Sequence, residues 1–257
     1  TNFTELGLIE PLTRALAAQD YIKPTHIQEK AVPQILGNAD LLGIAQTGSG
    51  KTAAFVLPIL QHLTNDGFRP SPKGALALIL APTRELALQI GNSVKAYAKH
   101  LQIRHTVILG GVNQNPQVKA LAKGVDVLIA TPGRLLDLME QGHVHLDDVE
   151  HLVLDEADRM LDMGFIPDIE FICSKLPDAR QTLLFSATMP DRIEDLASDL
   201  QKDPEVVKLA LSKPAEKIKQ GAYVLFDHQK DEVLVEVLKD RNVASGIVFT
   251  SRKKTVG

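Results

Sequence analysis

A glycine-rich segment near residue 50 has the residue types that bind phosphate groups. It consists of Gln46, Thr47, Gly48, Ser49, Gly50, Lys51 and Thr52, after a short apolar run and before a segment of helical spacing. Gly48 and Gly50 can adopt positive φ and bring backbone N–H groups close to an anion, next to the positive end of a helix. Lys51 would contact the β- and γ-phosphates of a nucleotide, and Thr52 would bind Mg²⁺. Ala45 replaces the first glycine of the usual pattern, which is compatible with phosphate binding if its φ is ordinary.

Three acidic residues follow another apolar run, His151–Leu154. In a parallel sheet, side chains at the carboxyl end of a strand lie in the ligand crevice. In a nucleotide hydrolase, one such acid holds Mg²⁺, usually through water, and a second orients or deprotonates the attacking water. We assign the metal role to Asp155 and the water role to Glu156, with Asp158 beside them. The alternative, an acidic turn that only caps the next helix, leaves the phosphate loop without a partner.

These segments need a fold that brings distant parts of the chain together. Short apolar runs alternate with segments of helical spacing, such as Arg84–Lys99 and Asn113–Lys123. The runs are rich in Val, Ile and Leu without polar–apolar alternation, which is typical of strands buried on both faces. They are Leu41–Ala45, Ala75–Ala81, Thr106–Leu109, Val125–Ala130, His151–Leu154 and Thr182–Phe185. This pattern predicts an α/β fold with a parallel sheet flanked by helices.

Composition restricts the class of protein. The chain has 257 residues, of which 44% are hydrophobic and 23% charged, as in ordinary globular proteins. No run approaches the ~18 apolar residues of a membrane helix, and the first ten residues do not resemble a signal peptide. The net charge of −4 gives no general signal for nucleic-acid binding. The one cysteine, Cys173, is predicted to be a buried small hydrophobe, His143 and His145 lack a third metal ligand, and a cytoplasmic location is expected.

The chain is predicted to contain one domain and the beginning of another. Residues 1–210 form the first domain, residues 211–217 a polar linker with a proline, and residues 218–257 the start of a second α/β unit. The predicted elements of the second unit are a strand over Ala222–Phe226, a helix over Gln229–Lys239 and a strand over Ala244–Thr250. About 40 residues are too few for a complete domain, so we expect this unit to be incomplete.

The acidic segment resembles the DEAD-box RNA helicases. Asp155-Glu-Ala-Asp158 spells the name of that family, and the surrounding sequence from Leu154 to Phe165 is also similar to it. The similarity runs in order from residue 3 to about residue 210, continues into the start of a second RecA-like domain, and is nearest to the bacterial RhlE-like branch. It implies a RecA-like P-loop domain, ATP and Mg²⁺ as cofactors, and ATP hydrolysis that drives local unwinding or remodelling of RNA duplexes.

Residues 3–28 resemble the family's adenine-binding Q motif, with Phe3 as the isolated upstream aromatic residue. The Gln28 amide offers a donor and an acceptor that match the N6 and N7 edge of adenine. Guanine would place an oxygen opposite the amide oxygen, at a cost of roughly 1–3 kcal/mol. Tyr21 can stack on the base, whereas Phe3 taken alone fits the core better. Asp20 replaces a glycine that the family usually has, which puts the local turn in question but not the adenine pocket.

Three strand ends resemble the family's RNA-binding segments and are expected to contact the RNA backbone. They contain Pro82, Thr83, Arg84, Gly110, Gly111, Thr131, Pro132, Gly133 and Arg134. Thr131 as N-cap and Pro132 as first helical residue leave N–H groups for a phosphate, and Arg84 and Arg134 add charged contacts. Contacts of this kind read shape and 2′-hydroxyl groups, which is compatible with a negative net charge. From the residues alone, three capped strand–helix junctions explain the same segments, and the choice of RNA over DNA depends on the resemblance.

Ser186 and Thr188 follow a later strand, and in the family this segment couples ATP hydrolysis to strand separation. Their hydroxyls could bond Asp158 or only cap a turn. The family's arginine fingers lie late in the second domain, and of that domain only Ile247–Arg252 resembles an early motif here. We therefore expect this chain alone to bind ATP or ADP but to hydrolyse ATP poorly. The alternative functions are an ATP-gated RNA clamp and a non-helicase P-loop ATPase.

Overall fold

The computed structural model describes residues 2–209, 221–240 and 245–249. The chain divides into two units, residues 1–211 and 212–257, and each is described by itself. The helices of the first unit are α1 (Glu10–Ala17), α2 (His26–Leu36), α3 (Lys51–Asp66), α4 (Arg84–Tyr97), α5 (Asn115–Leu121), α6 (Pro132–Glu140), α7 (Ala157–Asp162), α8 (Ile166–Cys173) and α9 (Asp191–Leu200), with a 3₁₀ turn at Ala98–His100. Its strands are β1 (Leu41–Ile44), β2 (Ala75–Leu80), β3 (His105–Ile108), β4 (Val125–Ala130), β5 (His151–Leu154), β6 (Gln181–Ser186) and β7 (Glu205–Lys208).

The strands form one sheet in the order β3-β4-β2-β5-β6-β1-β7, and every neighbouring pair is parallel. The predicted α/β fold with a parallel sheet flanked by helices is therefore confirmed. All six predicted strands are present, with ends shifted by at most one residue, and α4 and α5 begin and end within two residues of their predicted bounds.

The sequence analysis did not predict β7, which pairs with β1 at one edge of the sheet. Of its four residues, only Val207 is buried. An edge strand with one covered face contains no continuous apolar run, so the pattern that identified the central strands is missing there.

The core lies on both faces of the sheet because successive side chains of a strand alternate between faces. In β2, Ala77 and Ile79 pack into one apolar cluster, whereas Leu78 and Leu80 pack into the other. Residues of α1–α4 belong to the first cluster, and residues of α5–α9 belong to the second. This double coverage explains why the central strands are uniformly apolar and why polar side chains concentrate at the strand ends.

In the second unit, a 3₁₀ turn at Asp227–Gln229 leads into α10 (Lys230–Asp240), which confirms the helix predicted there. The strand predicted over residues 222–226 is wrong: the segment has no strand structure, and Val224 and Phe226 are exposed. Within the described ranges no strand pairs with it, and an unpaired backbone forms no ladder. Residues 245–249 likewise form no strand, while Ala244, Thr250 and the predicted linker at 211–217 lie outside the described residues.

Two smaller expectations concern membrane helices and the cysteine. In the part of the chain that the structure describes, none of the helices combines the length and apolar character needed to cross a bilayer. Cys173 is buried in α8, and burial raises the pKa of its thiol to about 12. The thiol therefore behaves as the small buried hydrophobe that its neighbours predict.

Candidate functional site

Three loops meet at the carboxyl ends of β5, β6 and β1, which are neighbours in the sheet. The acids follow β5, Ser186–Thr188 closes β6, and the phosphate loop follows β1. The Thr47 hydroxyl donates a hydrogen bond to Glu156 Oε1 at 3.3 Å, although 109 positions separate the two residues. The sheet order thus forms the crevice that the sequence predicts, with phosphate-binding and acidic residues on opposite sides of β6.

The phosphate loop has the backbone conformation that its glycines permit. Gly48 and Gly50 have φ of 82° and 95°, whereas Ala45 is not among the residues with positive φ. The Ala45 N–H donates to the Ser186 carbonyl at 3.0 Å, and the buried Lys51 ammonium donates to the Ala45 carbonyl at 2.9 Å. Lys51 therefore lies across the loop that it follows, and alanine at position 45 is accommodated as expected.

The hydroxyl of Ser49 indicates which kind of ligand the phosphate loop can bind. It is buried and has no hydrogen-bond partner among the described residues, and leaving such a group unpaired costs about 1–3 kcal/mol. Helix α3 begins directly after the loop, so its first turn supplies N–H groups that lack carbonyl partners within the helix. The chemistry of a buried hydroxyl, helix N–H groups and the Lys51 ammonium fits the phosphate groups of a nucleotide.

Asp155 is held in an environment that opposes its charge. Asp155 directly follows β5, and the residue is only 2% exposed. Burial raises its pKa to about 6, the nearby Lys51 charge lowers the pKa in part, and the neighbouring Glu156 raises it again. Oδ1 accepts a hydrogen bond from the Glu156 N–H at 3.0 Å. A buried carboxylate with one nearby ammonium can act as a metal ligand, because a divalent cation would stabilise its charge.

Glu156 occupies a strained position between the two loops. Its φ of 53° places a non-glycine residue in the left-handed region, where it precedes α7. One carboxylate oxygen accepts from Thr47, and the other accepts from Arg159 Nη1 at 3.3 Å. In this arrangement the side chain is already bonded, so any contact with an attacking water requires it to share or release these donors.

Asp158 is joined to Ser186 and Thr188, as the hydroxyl pattern suggested. Its Oδ2 accepts from the Thr188 N–H at 2.9 Å and from the Thr188 hydroxyl at 2.8 Å, and its own N–H donates to Ser186 Oγ at 3.2 Å. Partial burial opposes ionisation of this carboxyl, but the bonds from Thr188 and Ser186 outweigh burial and hold its pKa below the usual range. The contact connects β5 to β6, while its role in coupling stays a prediction.

Gln28 lies against the phosphate loop and is only 1% exposed. Its Oε1 accepts from the Thr25 N–H at 2.9 Å, and its Nε2 donates to the Gly50 carbonyl at 3.0 Å. A Cβ on Gly50 would lie 2.6 Å from that Nε2, so packing as well as φ requires glycine there. The amide keeps one N–H and one lone pair for a ligand. The adenine contact predicted for Gln28 stays a prediction.

The aromatic residues near this segment separate into core and surface. Phe3 belongs to the core cluster, which confirms the interpretation made from Phe3 alone. Tyr21 is 44% exposed and packs edge to face on Tyr97, with ring centroids 6.3 Å apart. Asp20 has φ of 59°, so the position that glycine fills in the family still turns through positive φ. The Tyr21 ring is therefore available for stacking on a base, and that contact stays a prediction.

The predicted RNA-contacting segments follow β2, β3 and β4, which are also adjacent in the sheet. After β2, Pro82 is buried and the Thr83 hydroxyl caps α4 by accepting from the Leu86 N–H at 3.2 Å. Arg84 is exposed, and its guanidinium lies beside the loop after β3, because a Cβ on Gly111 would lie 2.8 Å from its Nη1. Gly111 has φ of 71°, while a Cβ on Gly110 would meet no atom within 4 Å.

The third segment begins α6 at Pro132, as predicted. Thr131 stands at the N-cap position, but its side chain makes no capping bond. Gly133 is exposed, whereas the side chain of Arg134 is only 12% exposed. The guanidinium of Arg134 pairs with Asp137 at 3.4 Å and donates to the Val112 carbonyl at 3.4 Å, so a phosphate would compete with these partners. Arg84 is thus the more accessible cation of the two.

Two contributing residues were not identified from the sequence. The Thr25 N–H donates a hydrogen bond to the Gln28 side chain. The spacing Thr25-x-x-Gln28 matches a helix capping box, so the sequence already indicated this contact. Arg159 bonds Glu156 three positions earlier, and the i,i+3 spacing of an acid and a base was the available signal. Among the described residues, no group of three or more His, Cys, Asp or Glu side chains could hold a metal ion.

Comparisons with known proteins agree with this geometry. Residues 25–196 match the family model for DEAD/DEAH box helicases. The chain is 42% identical to ATP-dependent RNA helicase DeaD of Escherichia coli (strain K12), over 98% of this chain and 40% of that protein. It is also 42% identical to DEAD-box ATP-dependent RNA helicase 20 of Oryza sativa subsp. japonica, over 98% of this chain and 52% of that protein.

A solved structure gives the same result for the fold. The crystal structure of a DEAD box protein from the hyperthermophile Methanococcus jannaschii matches with a TM-score of 0.74 and 36% identity, over 93% of this chain and 63% of that one. The chain spans about two fifths to one half of the length of the two curated relatives. Bacterial and plant proteins match it equally well, so the RhlE-like branch stays a prediction. The match over residues 25–196 covers more than half of the chain, which therefore belongs to the DEAD/DEAH box helicase family.

Proposed function

We propose that this protein is an ATP-dependent RNA helicase, an ATP hydrolase that opens or remodels RNA duplexes. The observation that carries the proposal is the meeting of the phosphate loop, the acids and Ser186–Thr188 at adjacent strand ends. The names of the curated relatives support the activity. In this proposal, residues 1–210 are the ATP-binding domain, residues 211–217 the linker, and residues 218–257 part of a second RecA-like domain.

The nucleotide would occupy the ends of β1, β5 and β6. Lys51 and the N–H groups at the start of α3 would bind the β- and γ-phosphates, and the unpaired Ser49 hydroxyl supports this position. Thr52 and Asp155 would hold Mg²⁺, mainly through water, and the bound ion neutralises phosphate charge. The remaining loop residues, Gln46, Thr47, Gly48 and Gly50, would line the phosphates.

Hydrolysis in this site would depend on Glu156. The carboxylate would orient the attacking water or accept its proton, and the bonds from Thr47 and Arg159 hold it at the crevice until then. A change in the position of the acids after β5 would reach β6 through Asp158, Ser186 and Thr188. Thr188 donates two hydrogen bonds to one carboxylate oxygen of Asp158. Gln28 and Tyr21 would select and stack adenine.

RNA would bind along the ends of β2, β3 and β4. Arg84, Gly111 in the Gly110–Gly111 loop, and Gly133 at the start of α6 are exposed at adjacent strand ends, which suits a sugar–phosphate backbone. Arg134 would join them by exchanging Val112 and Asp137 for a phosphate. Because no arginine here is an obvious transition-state finger, we propose that this chain alone binds nucleotide but hydrolyses it slowly. We also propose that the protein acts in the cytoplasm.

Steady-state ATP turnover tests the proposal. The full-length protein and the 257-residue chain are each assayed without nucleic acid, with single-stranded RNA and with single-stranded DNA. We expect stimulation by RNA in the full-length protein and slow turnover by the shorter chain in all three conditions. No effect of either nucleic acid would contradict the helicase and favour a P-loop ATPase of another kind, and equal stimulation by DNA would contradict the RNA assignment. RNA-stimulated turnover without duplex opening would instead indicate an ATP-gated clamp.

A further inference from the structure

One 40-residue stretch of this acidic chain contains no acidic residue. Residues 86–125 include no Asp or Glu, although the whole chain has 32 of them and a net charge of −4. The same stretch contains five basic residues, Lys95, Lys99, Arg104, Lys119 and Lys123. A local field of one sign within a chain of the opposite sign is a feature of surfaces that meet a charged partner.

The structure places the stretch around one edge of the sheet. Strand β3 is the terminal strand on that side, and α4 and α5 pack against it. All five basic residues are exposed. Within the described ranges, no carboxylate pairs with any of the four lysines. Burial, and then the Lys95 charge, lower the pKa of His105 at the start of β3, so Lys95 lies close to that strand. We call Lys95, Lys99, Arg104, Lys119 and Lys123 the β3 edge strip.

An open groove lies where the strip reaches the start of β3. Its lining includes Arg69, Gln102, Arg104 and Lys123. Among the described residues that line this groove there is no carboxylate, and the buried Asp126 pairs with both Arg69 and Arg104 at 3.5 Å. Three cations thus line the groove, and the guanidinium groups of Arg69 and Arg104 keep N–H groups for an anion.

The other edge of the sheet has the opposite charge. Residues 191–205, which contain α9 and the start of β7, include six Asp and Glu residues and two Lys and Arg residues. An anionic polymer is therefore attracted to the β3 edge and repelled from the β7 edge. Lysines that served only solubility would be spread evenly over the surface. The opposite charges of the two edges therefore argue against that origin for the strip.

The strip is continuous with the proposed RNA face. Gly110 and Gly111 follow β3 at one end, and Arg104 precedes it at the other. A four-residue strand spans about 13 Å, so a backbone that leaves the glycine loop reaches Arg104 within a few phosphate spacings. We propose that the β3 edge strip binds the phosphate backbone of RNA that extends past the Gly110–Gly111 loop. The inference rests on the proposed RNA-binding function and adds a second contact surface to it.

The test compares a short single-stranded RNA, which fills only the strand ends, with a longer one that reaches the strip. The strip variant carries Lys95→Ala, Lys99→Ala, Lys119→Ala and Lys123→Ala in the full-length protein. Arg104 is kept because it pairs with the buried Asp126. A control variant of equal charge change carries Lys175→Ala, Lys202→Ala, Lys208→Ala and Lys239→Ala. Affinities are measured by fluorescence anisotropy at several salt concentrations, and thermal melting verifies that both variants fold.

We expect the strip variant to bind the longer RNA about tenfold or more weakly at low salt, with a salt slope reduced by roughly 1.5–3, and to bind the short RNA like the wild type. Equal losses in the control variant would overturn the inference, as would a loss for the short RNA or no loss at all. Tighter binding of polyglutamate than of RNA by the strip would also overturn it in favour of an acidic protein partner. Failure of the wild type to bind any RNA would instead contradict the proposed function itself.

Discussion

Two groups of strand ends share the carboxyl edge of the sheet, and they differ in how their side chains are held. At β5, β6 and β1, Lys51, Asp155 and Ser186 are buried, and their side chains bond Ala45, Glu156 and Asp158 respectively. At β3, β4 and β2, Arg84 and Gly133 are exposed. We refer to these groups as the nucleotide side and the RNA side, according to the ligands proposed for them.

Residues on the nucleotide side serve the fold as well as the proposed function. On the nucleotide side, a substitution changes an internal contact before any ligand is present, so stability and activity change together. On the RNA side, a substitution at an exposed residue such as Arg84 or Gly133 changes a site that faces solvent, so only ligand binding should change there.

Removal of the loop ammonium should have the largest effect. In Lys51→Ala, the phosphates lose the ammonium that the loop supplies, and we expect RNA-stimulated ATP turnover by the full-length protein to fall by about 10²–10³-fold. Lys175→Ala, at an exposed position, is the control and should keep wild-type turnover. A Lys51→Ala enzyme that retains more than a tenth of wild-type turnover would place the phosphates elsewhere.

The second prediction separates stability from activity at Asp155. Because burial raises its pKa from 3.8 to about 6, the folded chain binds this proton more tightly than the unfolded chain does. The group therefore favours folding below pH 3.8, and this contribution disappears as pH rises through about 6. Asp155→Asn removes the buried charge, so the free energy of unfolding of the ligand-free chain should rise by about 2–3 kcal/mol at neutral pH.

The same variant should hydrolyse ATP far more slowly, since an amide is a poor ligand for Mg²⁺. Denaturant unfolding at neutral pH and again near the unfolded-state pKa measures the stability change, which should vanish at the lower pH. A variant less stable than the wild type at neutral pH would mean that the attraction to Lys51 exceeds the cost of burial, contrary to the direction of the pKa shift.

A pair of glycine substitutions compares the two sides directly. Gly50→Ala places a Cβ at φ of 95° and 2.6 Å from Gln28 Nε2, so we expect a loss of about 1–2 kcal/mol in unfolding free energy and weaker nucleotide binding. Gly133→Ala meets no atom within 4 Å, so stability should stay the same or rise slightly while RNA affinity falls. Equal destabilisation by both would remove the contrast between the sides.

The smallest effect is expected at Arg84. Arg84→Ala removes an exposed guanidinium beside Gly111, and we expect RNA affinity to fall by roughly three- to tenfold with a shallower salt dependence. Thermal unfolding and ATP affinity should match the wild type. A lower melting temperature would show that Arg84 supports the glycine loop, and the RNA side would then resemble the nucleotide side.

The sequence predicted the parts of this arrangement that depend on local pattern. Apolar runs identify β1–β6, and residue types at their ends identify Lys51, Asp155 and Arg84. Strand β7 was missed because its residues are mostly exposed, and the strand predicted over residues 222–226 has no partner within the described ranges. Apolar pattern alone does not establish pairing.

The remaining differences arise from contacts between distant residues. Gln28 packs on Gly50, Thr47 bonds Glu156, and Arg134 is engaged by Val112 and Asp137. Only the Arg134–Asp137 pair follows from sequence spacing, as an i,i+3 pair within α6, whereas the other three contacts join segments that are distant in the sequence. The residue types that bind a ligand are therefore predictable, but most of the contacts that hold them before the ligand arrives are not.

Nucleotide binding by the 257-residue chain tests whether the ends of β1, β5 and β6 form a nucleotide site. Isothermal titration calorimetry in Mg²⁺ would compare ATP, ADP and GTP on the wild type and on Lys51→Ala. We expect one-to-one binding of ATP and ADP by the wild type, roughly 5- to 150-fold weaker binding of GTP, and a large loss of ATP affinity in the variant. Absence of adenine-nucleotide binding, or equal affinity in Lys51→Ala, would contradict a nucleotide site at the ends of β1, β5 and β6.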